Sequence, residues 1–204
     1  MSAELVSFVS DIVVGVSALG VAVIAFFGLR TWRKELTGKA KFALARDVML
    51  LGFKLKANFE DARNPFTYST ESAGRPRKED ETRDISQVLD EWYARASRLK
   101  PLQENLIKIQ EASWEAQILF SEDSKKSVSE AVAVYRSNFG ELASAISSYF
   151  EERHRGATSK MANIDEKWLK ELHKTIYSRT GDDISKQIEE ATTKLESALQ
   201  AYVK

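Results

Sequence analysis

Residues 12–29, IVVGVSALGVAVIAFFGL, run for eighteen positions without a charge, and RTWRK follows them directly. As a helix rising about 1.5 Å per residue, such a stretch spans roughly 27 Å, close to the hydrocarbon thickness of a bilayer. A helix that is apolar on every face has no side to offer to water. It belongs in a membrane or at the centre of a much larger protein. A cleaved signal peptide would need a basic segment ahead of a shorter apolar core. Here MSAEL stands ahead and the basic cluster comes after. The expectation is a transmembrane anchor over residues 1–30 and a soluble domain over 31–204.

The flanking charge gives the anchor a direction. Residues 30–58 hold eight Lys or Arg against Glu35 and Asp47, a net of +6, whereas residues 1–29 hold only Glu4 and Asp11. Basic flanks stay on the cytoplasmic side. The chain is therefore expected to be a single-pass protein of the cell inner membrane, N-terminus outside and C-terminal domain in the cytoplasm. Arg30, Trp32, Arg33 and Lys34 are the expected membrane-interface residues. The indole of Trp32 suits a zone where its ring is buried and its N–H is wet. Gly15, Ala18, Ala22 and Ala25 are spaced 3, 4, 3, one stripe of small residues along which another membrane helix can approach.

The remaining chain reads as helix throughout. Gly and Pro number 9 and 3, and 29% of residues are charged. That composition, rich in Ala, Leu, Glu and Lys, is helical. Leu44, Val48, Leu51, Leu55 and Phe59 recur on one face of a helix over 31–62, with Thr37-Gly38 as the point where it bends or runs on from the anchor. Pro65 pushes Asn64 out of helical angles and ends it. Residues 66–82 are polar and long for a connection, so a solvated mobile loop is expected. Ile85, Leu89, Trp92, Ala96, Leu99, Leu102, Leu106, Ile109 and Ser113 then follow near-heptad spacing, the mark of a coiled-coil-like seam. Pro101 is expected to kink that helix. A short turn at 121–124 leads into a helix reaching about residue 153, with core face Val128, Val132, Tyr135, Phe139, Leu142, Ile146, Tyr149 and Phe150. Gly140 is read as a tight crossing. Two long helices joined so briefly should pack as an antiparallel hairpin. A linker over 156–163, a helix over about 165–179 and a last helix to about 203 complete the chain. Trp92 and Trp168 are assigned to the core. The fold class is all-α, one transmembrane helix followed by an antiparallel bundle of four to five helices.

WRKEL at 32–36, GK at 38–39, ALAR at 43–46 and RNPF at 63–66 together resemble a recurring group of uncharacterised bacterial single-pass membrane proteins. In that group an apolar N-terminal helix runs into a Trp-basic-Glu-Leu junction and ends in Arg-x-Pro-Phe. The resemblance covers residues 10–66, and what it implies is topology.

Chemistry is sparse. Cysteine is absent, which removes disulfides, thiolate metal sites and Cys nucleophiles. Glu151 and His154 form one Glu-x-x-His pair. A di-iron bundle needs two, and the position three before His173 is Lys170. No phosphate-cradling glycine loop and no strained Gly-x-Ser-x-Gly turn occurs. Arg75, Arg77 and Lys78 are cancelled by Glu79, Asp80 and Glu81, so nucleic acid is not an expected partner. No cofactor is expected. Trp114, beside the seam, is a candidate partner surface. The reading is a non-enzymatic, membrane-anchored interaction, scaffold or sensor module, whose partners are the lipid bilayer and either a second copy or a membrane protein. The alternative is a small subunit of a membrane transport or defence complex that packs through its transmembrane helix.

Overall fold

The computed structural model describes residues 3–68, 70–159, 163–178 and 181–203, with side chains from residue 15 onward. Among these residues there are five α-helices and no strand: α1 Ala3–Ala62, α2 Arg83–Leu119, α3 Glu122–Thr158, α4 Glu166–Ile176 and α5 Asp183–Val203. The chain divides into two units, Met1–Ala43 and Leu44–Lys204.

In the first unit α1 carries the apolar stretch. It is long and apolar enough to cross a membrane: the best window has a mean hydropathy of 1.5 with none of it buried. The helix does not break at Thr37-Gly38, where the Thr37 hydroxyl donates to the Arg33 carbonyl at 2.9 Å. The compact bundle starts at Leu44 rather than at 31, because residues 31–40 are all exposed.

In the second unit the C-terminal part of α1 buries Leu44, Ala45, Val48, Gly52, Leu55, Phe59 and Ala62, one helical face as expected. Across the α2–α3 pair, Gln117 meets Ser129, Gln110 meets Arg136 and Glu91 meets Arg153. Numbers fall on one helix as they rise on the other, so the hairpin is antiparallel. Tyr202 with Ser121, Ser124 with the Ala198 carbonyl, and Asn138 with Gln187 set α5 antiparallel to α3 in the same way. Lys56 with Glu189 and Arg63 with Asp182 set α1 antiparallel to α5, and Asn58 with Asn105 aligns α1 with α2. The result is an up-down-up-down bundle of α1, α2, α3 and α5, with α4 inserted before the last helix. Its core joins Leu55, Phe59, Leu102, Ile109, Val128, Tyr135, Leu142, Ile146, Ile188, Leu195 and Leu199. The buried Tyr135 hydroxyl is satisfied by Thr192 at 2.9 Å, and burial raises its pKa.

Pro101 lies inside α2 and is exposed, and α2 runs through it as one helix, in line with the apolar register that continues across it. Several other local expectations change. Gly140 marks no crossing, since a Cβ there would meet nothing within 4 Å. Trp92 and Trp168 are about two-fifths exposed rather than core. α4 ends at Ile176, three residues early, and residues 160–162, 179 and 180 lie outside the described set. The seam of α2 holds from Leu102 to Ser113. Before Leu102 the buried positions are Val88, Ala94, Arg95 and Arg98, because that half of the helix faces a polar corner.

Candidate functional site

Three surfaces or clusters have the chemistry to do something: the basic end of the apolar stretch, the outer face of α2, and the arginine corner that closes the bundle.

At the first, Trp32 is exposed, and Arg30, Arg33 and Lys34 have no ion-pair partner among the described residues. The nearby acid Glu35 is taken by Lys39 at 2.8 Å. A surface groove of about 580 Å³ runs from Phe26 and Leu29 past Arg30, Arg33 and Lys34 to Gly38 and Lys41. The small-residue stripe Gly15, Ala18, Ala22 and Ala25 is exposed along one side of α1, and Gly15 has open space around it.

On α2, Trp114 is 63% exposed, and it is not alone. Ile107 and Ile118 are also exposed, Ile118 at 82%. Positions 107, 114 and 118 are spaced 7 and 4, so they fall on one line along the helix. Beside them an open groove of about 650 Å³ is lined by Leu106, Gln110, Glu111 and Trp114 of α2 and by Arg136 and Phe139 of α3. Trp114 was readable as a surface candidate. Its two isoleucines are equally readable, as a second apolar stripe beside the buried one of Leu102, Leu106, Ile109 and Ala116.

The third cluster was missed. α1 has no basic residue in its own last turn, yet its end is buried, and the final carbonyls of a helix need donors. α2 supplies them. Arg98 donates through Nη1 to the carbonyls of Asp61 (3.1 Å) and Asn64 (3.0 Å) and through Nη2 to that of Phe66 (2.6 Å), while Nε and Nη2 grip Glu71 at 2.8 and 2.7 Å. Arg95 donates to the carbonyls of Asn64 and Pro65 and stacks 4.7 Å over the Tyr177 ring. Burial pushes its guanidinium pKa down. Arg63, only 2% exposed, reaches the other way: Nε and Nη2 cap the carbonyls of Thr175 and Lys174 at the end of α4, and Nη1 meets Asp182 at 2.8 Å, the residue that caps the start of α5.

Residues 66–82 therefore fail the expectation of a wholly solvated loop at Arg75. That side chain is buried between Glu81 (2.7 Å) and Asp90 (2.6 Å). The Arg75 guanidinium holds the Glu81 carboxyl down to about 2. Arg98 likewise lowers that of Glu71. Of the loop's basic cluster only Arg75 is spent inside the fold; Arg77 pairs with Asp90 at the surface (2.8 Å), and Lys78 is exposed. Arg98 and Arg95 could have been flagged from sequence by extending the seam backwards from Leu102 in steps of 4 and 3, which lands on them.

For catalysis the arrangement offers little. Among the described residues no group of three or more His, Asp or Glu could hold a metal ion. Glu151 and His154 line a shallow groove with Val88, Leu89, Trp92 and Phe150, an apolar setting with no second carboxylate beyond Glu151. The buried arginines point mainly at backbone carbonyls and at carboxylates of the chain itself, and Arg95 Nε is the one buried side-chain nitrogen or oxygen among the described residues without a hydrogen-bond partner.

No protein-family model matches the chain, no curated protein matches it, and no solved structure matches it.

Proposed function

We propose that the protein is a non-enzymatic, membrane-tethered interaction module of the bacterial inner membrane, whose helical bundle associates with a second copy in the cytoplasm. The observation that carries this is the line Ile107, Trp114, Ile118, exposed together along the outer face of α2. Exposed apolar residues scattered singly need no explanation, but an aromatic and two β-branched residues aligned beside a groove are the composition of an interface core. Tethering adds to it. Two copies held in one bilayer meet at a raised effective concentration, so even a modest patch suffices. The resemblance of residues 10–66 to single-pass membrane proteins and the +6 flank support the orientation, N-terminus outside.

The test is a photo-crosslinking residue at position 114 in the full-length protein in membranes, with position 126 on α3, an exposed lysine, as the control. A dimer band from 114 and not from 126 is the expected result. Equal yields from both remove the reading. With the crosslinker at 114, Ile118→Ala should weaken the band while costing under about 0.5 kcal/mol in stability, because that side chain is mostly solvated.

The second reading, a subunit of a larger membrane assembly, is favoured by the stripe Gly15, Ala18, Ala22, Ala25. Cysteines at Ala18 and Ala22 would then crosslink to a different membrane protein more efficiently than cysteines at Val21 and Val23.

A further inference from the structure

The groove at the end of the apolar stretch has two chemically different ends. Phe26 and Leu29 line one, and Arg30, Arg33 and Lys34 line the other. At about 100° per residue, Arg30, Arg33 and Lys34 lie within an arc of about 100° on the helix, and Phe26 falls inside the same arc. Glu35 and Lys39, which neutralise each other, lie on the opposite side. Arg30, Arg33 and Lys34 thus share one face, have no ion-pair partner among the described residues, and begin where the uncharged segment stops. A ligand that satisfies both ends carries a hydrocarbon tail and an anionic head. We propose that this groove is a binding site for an anionic phospholipid of the protein's own bilayer, with an acyl chain along Phe26 and Leu29 and the phosphodiester among Arg30, Arg33 and Lys34.

The geometry fixes which cations belong to the site. From Arg30 to Lys34 the helix rises about 6 Å, and the headgroup zone of one leaflet is roughly 5–8 Å deep. Lys41 lies on the same face but about 16 Å along the axis, past that zone. It contributes to the surrounding field, which decays within roughly 10 Å at ordinary salt, and not to headgroup contact. Arginine suits the role because its planar fork matches phosphate oxygens, with Lys34 adding a point charge.

The inference rests on the anchor reading above, and one experiment separates the two. The full-length protein is reconstituted in nanodiscs containing equal phosphatidylglycerol and phosphatidylcholine, extracted in mild detergent, and its retained lipids are identified by native mass spectrometry. The wild type is expected to retain phosphatidylglycerol in preference. Each of R30Q, R33Q and K34Q should lower that preference roughly fivefold, the effect of one cation at an anionic surface. K41Q should lower it less than any of the three, and K39Q should leave it unchanged. Helical circular dichroism confirms that each variant is folded. Inserted protein with no lipid preference, or K39Q as damaging as R33Q, would overturn the site while leaving the anchor intact. Displacement of the lipid by excess inorganic phosphate would overturn it in favour of a soluble anion. Failure of the protein to enter nanodiscs at all would overturn both.

Discussion

Arg33 and Arg98 carry the same guanidinium into opposite surroundings. Arg33 stands exposed on the first unit with no ion-pair partner among the described residues. Arg98 is buried in the second, with five hydrogen bonds to two stretches of chain: three carbonyls at the end of α1 and the Glu71 carboxylate. The difference separates two jobs that composition alone merges. A buried arginine is costly unless most of its donors are matched, and a helix end presents carbonyls with partial negative charge that match them. Where the matching is internal, the cation is part of the fold. Where it is absent, the cation is left for something outside the chain.

If that distinction holds, the largest effect belongs to Arg98. Arg98→Ala takes the cation from Glu71 and the donor from the Phe66 carbonyl, removes one of two donors from the Asp61 and Asn64 carbonyls, and should cost about 3 kcal/mol, the lower end for breaking a buried pair, since Glu71 keeps some access to water. Arg98→Lys should recover only part of this, because an ammonium cannot span both carboxylate oxygens and the helix end. Denaturant unfolding of the full-length protein in detergent, followed by helical signal, measures both. A cost below 1 kcal/mol for Arg98→Ala would mean the corner is as dispensable as a surface arginine.

Arg63 comes next. Its removal frees the α4 end and the Asp182 cap at once, and about 2–3 kcal/mol is expected from losing charge-assisted bonds. The loss should be local. α4 buries only Ile176, so hydrogen exchange over residues 166–176 should accelerate before exchange over 122–158 does. Uniform acceleration would make Arg63 a global element instead.

The third effect depends on pH. Glu71 and Glu81 are held below the ordinary carboxylate range by Arg98 and Arg75, Glu81 to about 2. A depressed folded pKa contributes stability above the unfolded value, near 4.3, and that stability is lost as pH falls through the folded value. Amide exchange over 70–82 should therefore quicken as pH drops from about 4.5 towards 2, after correction for intrinsic exchange. Glu81→Gln should be faster at neutral pH and flatter across that window. A loop whose protection does not change with pH would show that the Arg75 pairing does not hold it.

The helical class, the hairpin and the core faces of α1, α3 and α5 were legible because apolar periodicity is a strong signal, and Leu55, Val128 and Leu195 obey it. The polar corner was not, because the same periodicity discards charged residues by rule. Arg95 and Arg98 keep the register of Leu102 and were passed over for being arginine. Trp92 and Trp168 failed in the opposite sense: an indole was counted as core for its size, though each sits at the edge of a groove. RNPF, noticed as a motif, has a physical basis in the fold. Arg63 clamps α4 to α5, Pro65 stops α1, and the carbonyls of Asn64, Pro65 and Phe66 are those that Arg95 and Arg98 read. At the small-residue stripe and at Trp114 the sequence could name candidates, but the decision lies with a partner outside the chain.

The smallest effect is the one that sharpens the comparison most. Arg33→Gln replaces an exposed cation with a good helix former and removes no side-chain hydrogen bond among the described residues. Its cost in denaturant unfolding should stay under about 0.5 kcal/mol, the range of ordinary surface substitutions. The same variant should shift lipid retention severalfold, so the two measurements on one protein run in opposite directions for Arg33 and Arg98: Arg98→Ala destabilises the bundle and leaves the preference for phosphatidylglycerol as it was. Should Arg33→Gln destabilise the protein by 2 kcal/mol or more, the residue would have a partner in the folded chain, and the division between internal and external arginines would fall at the residue chosen to represent it.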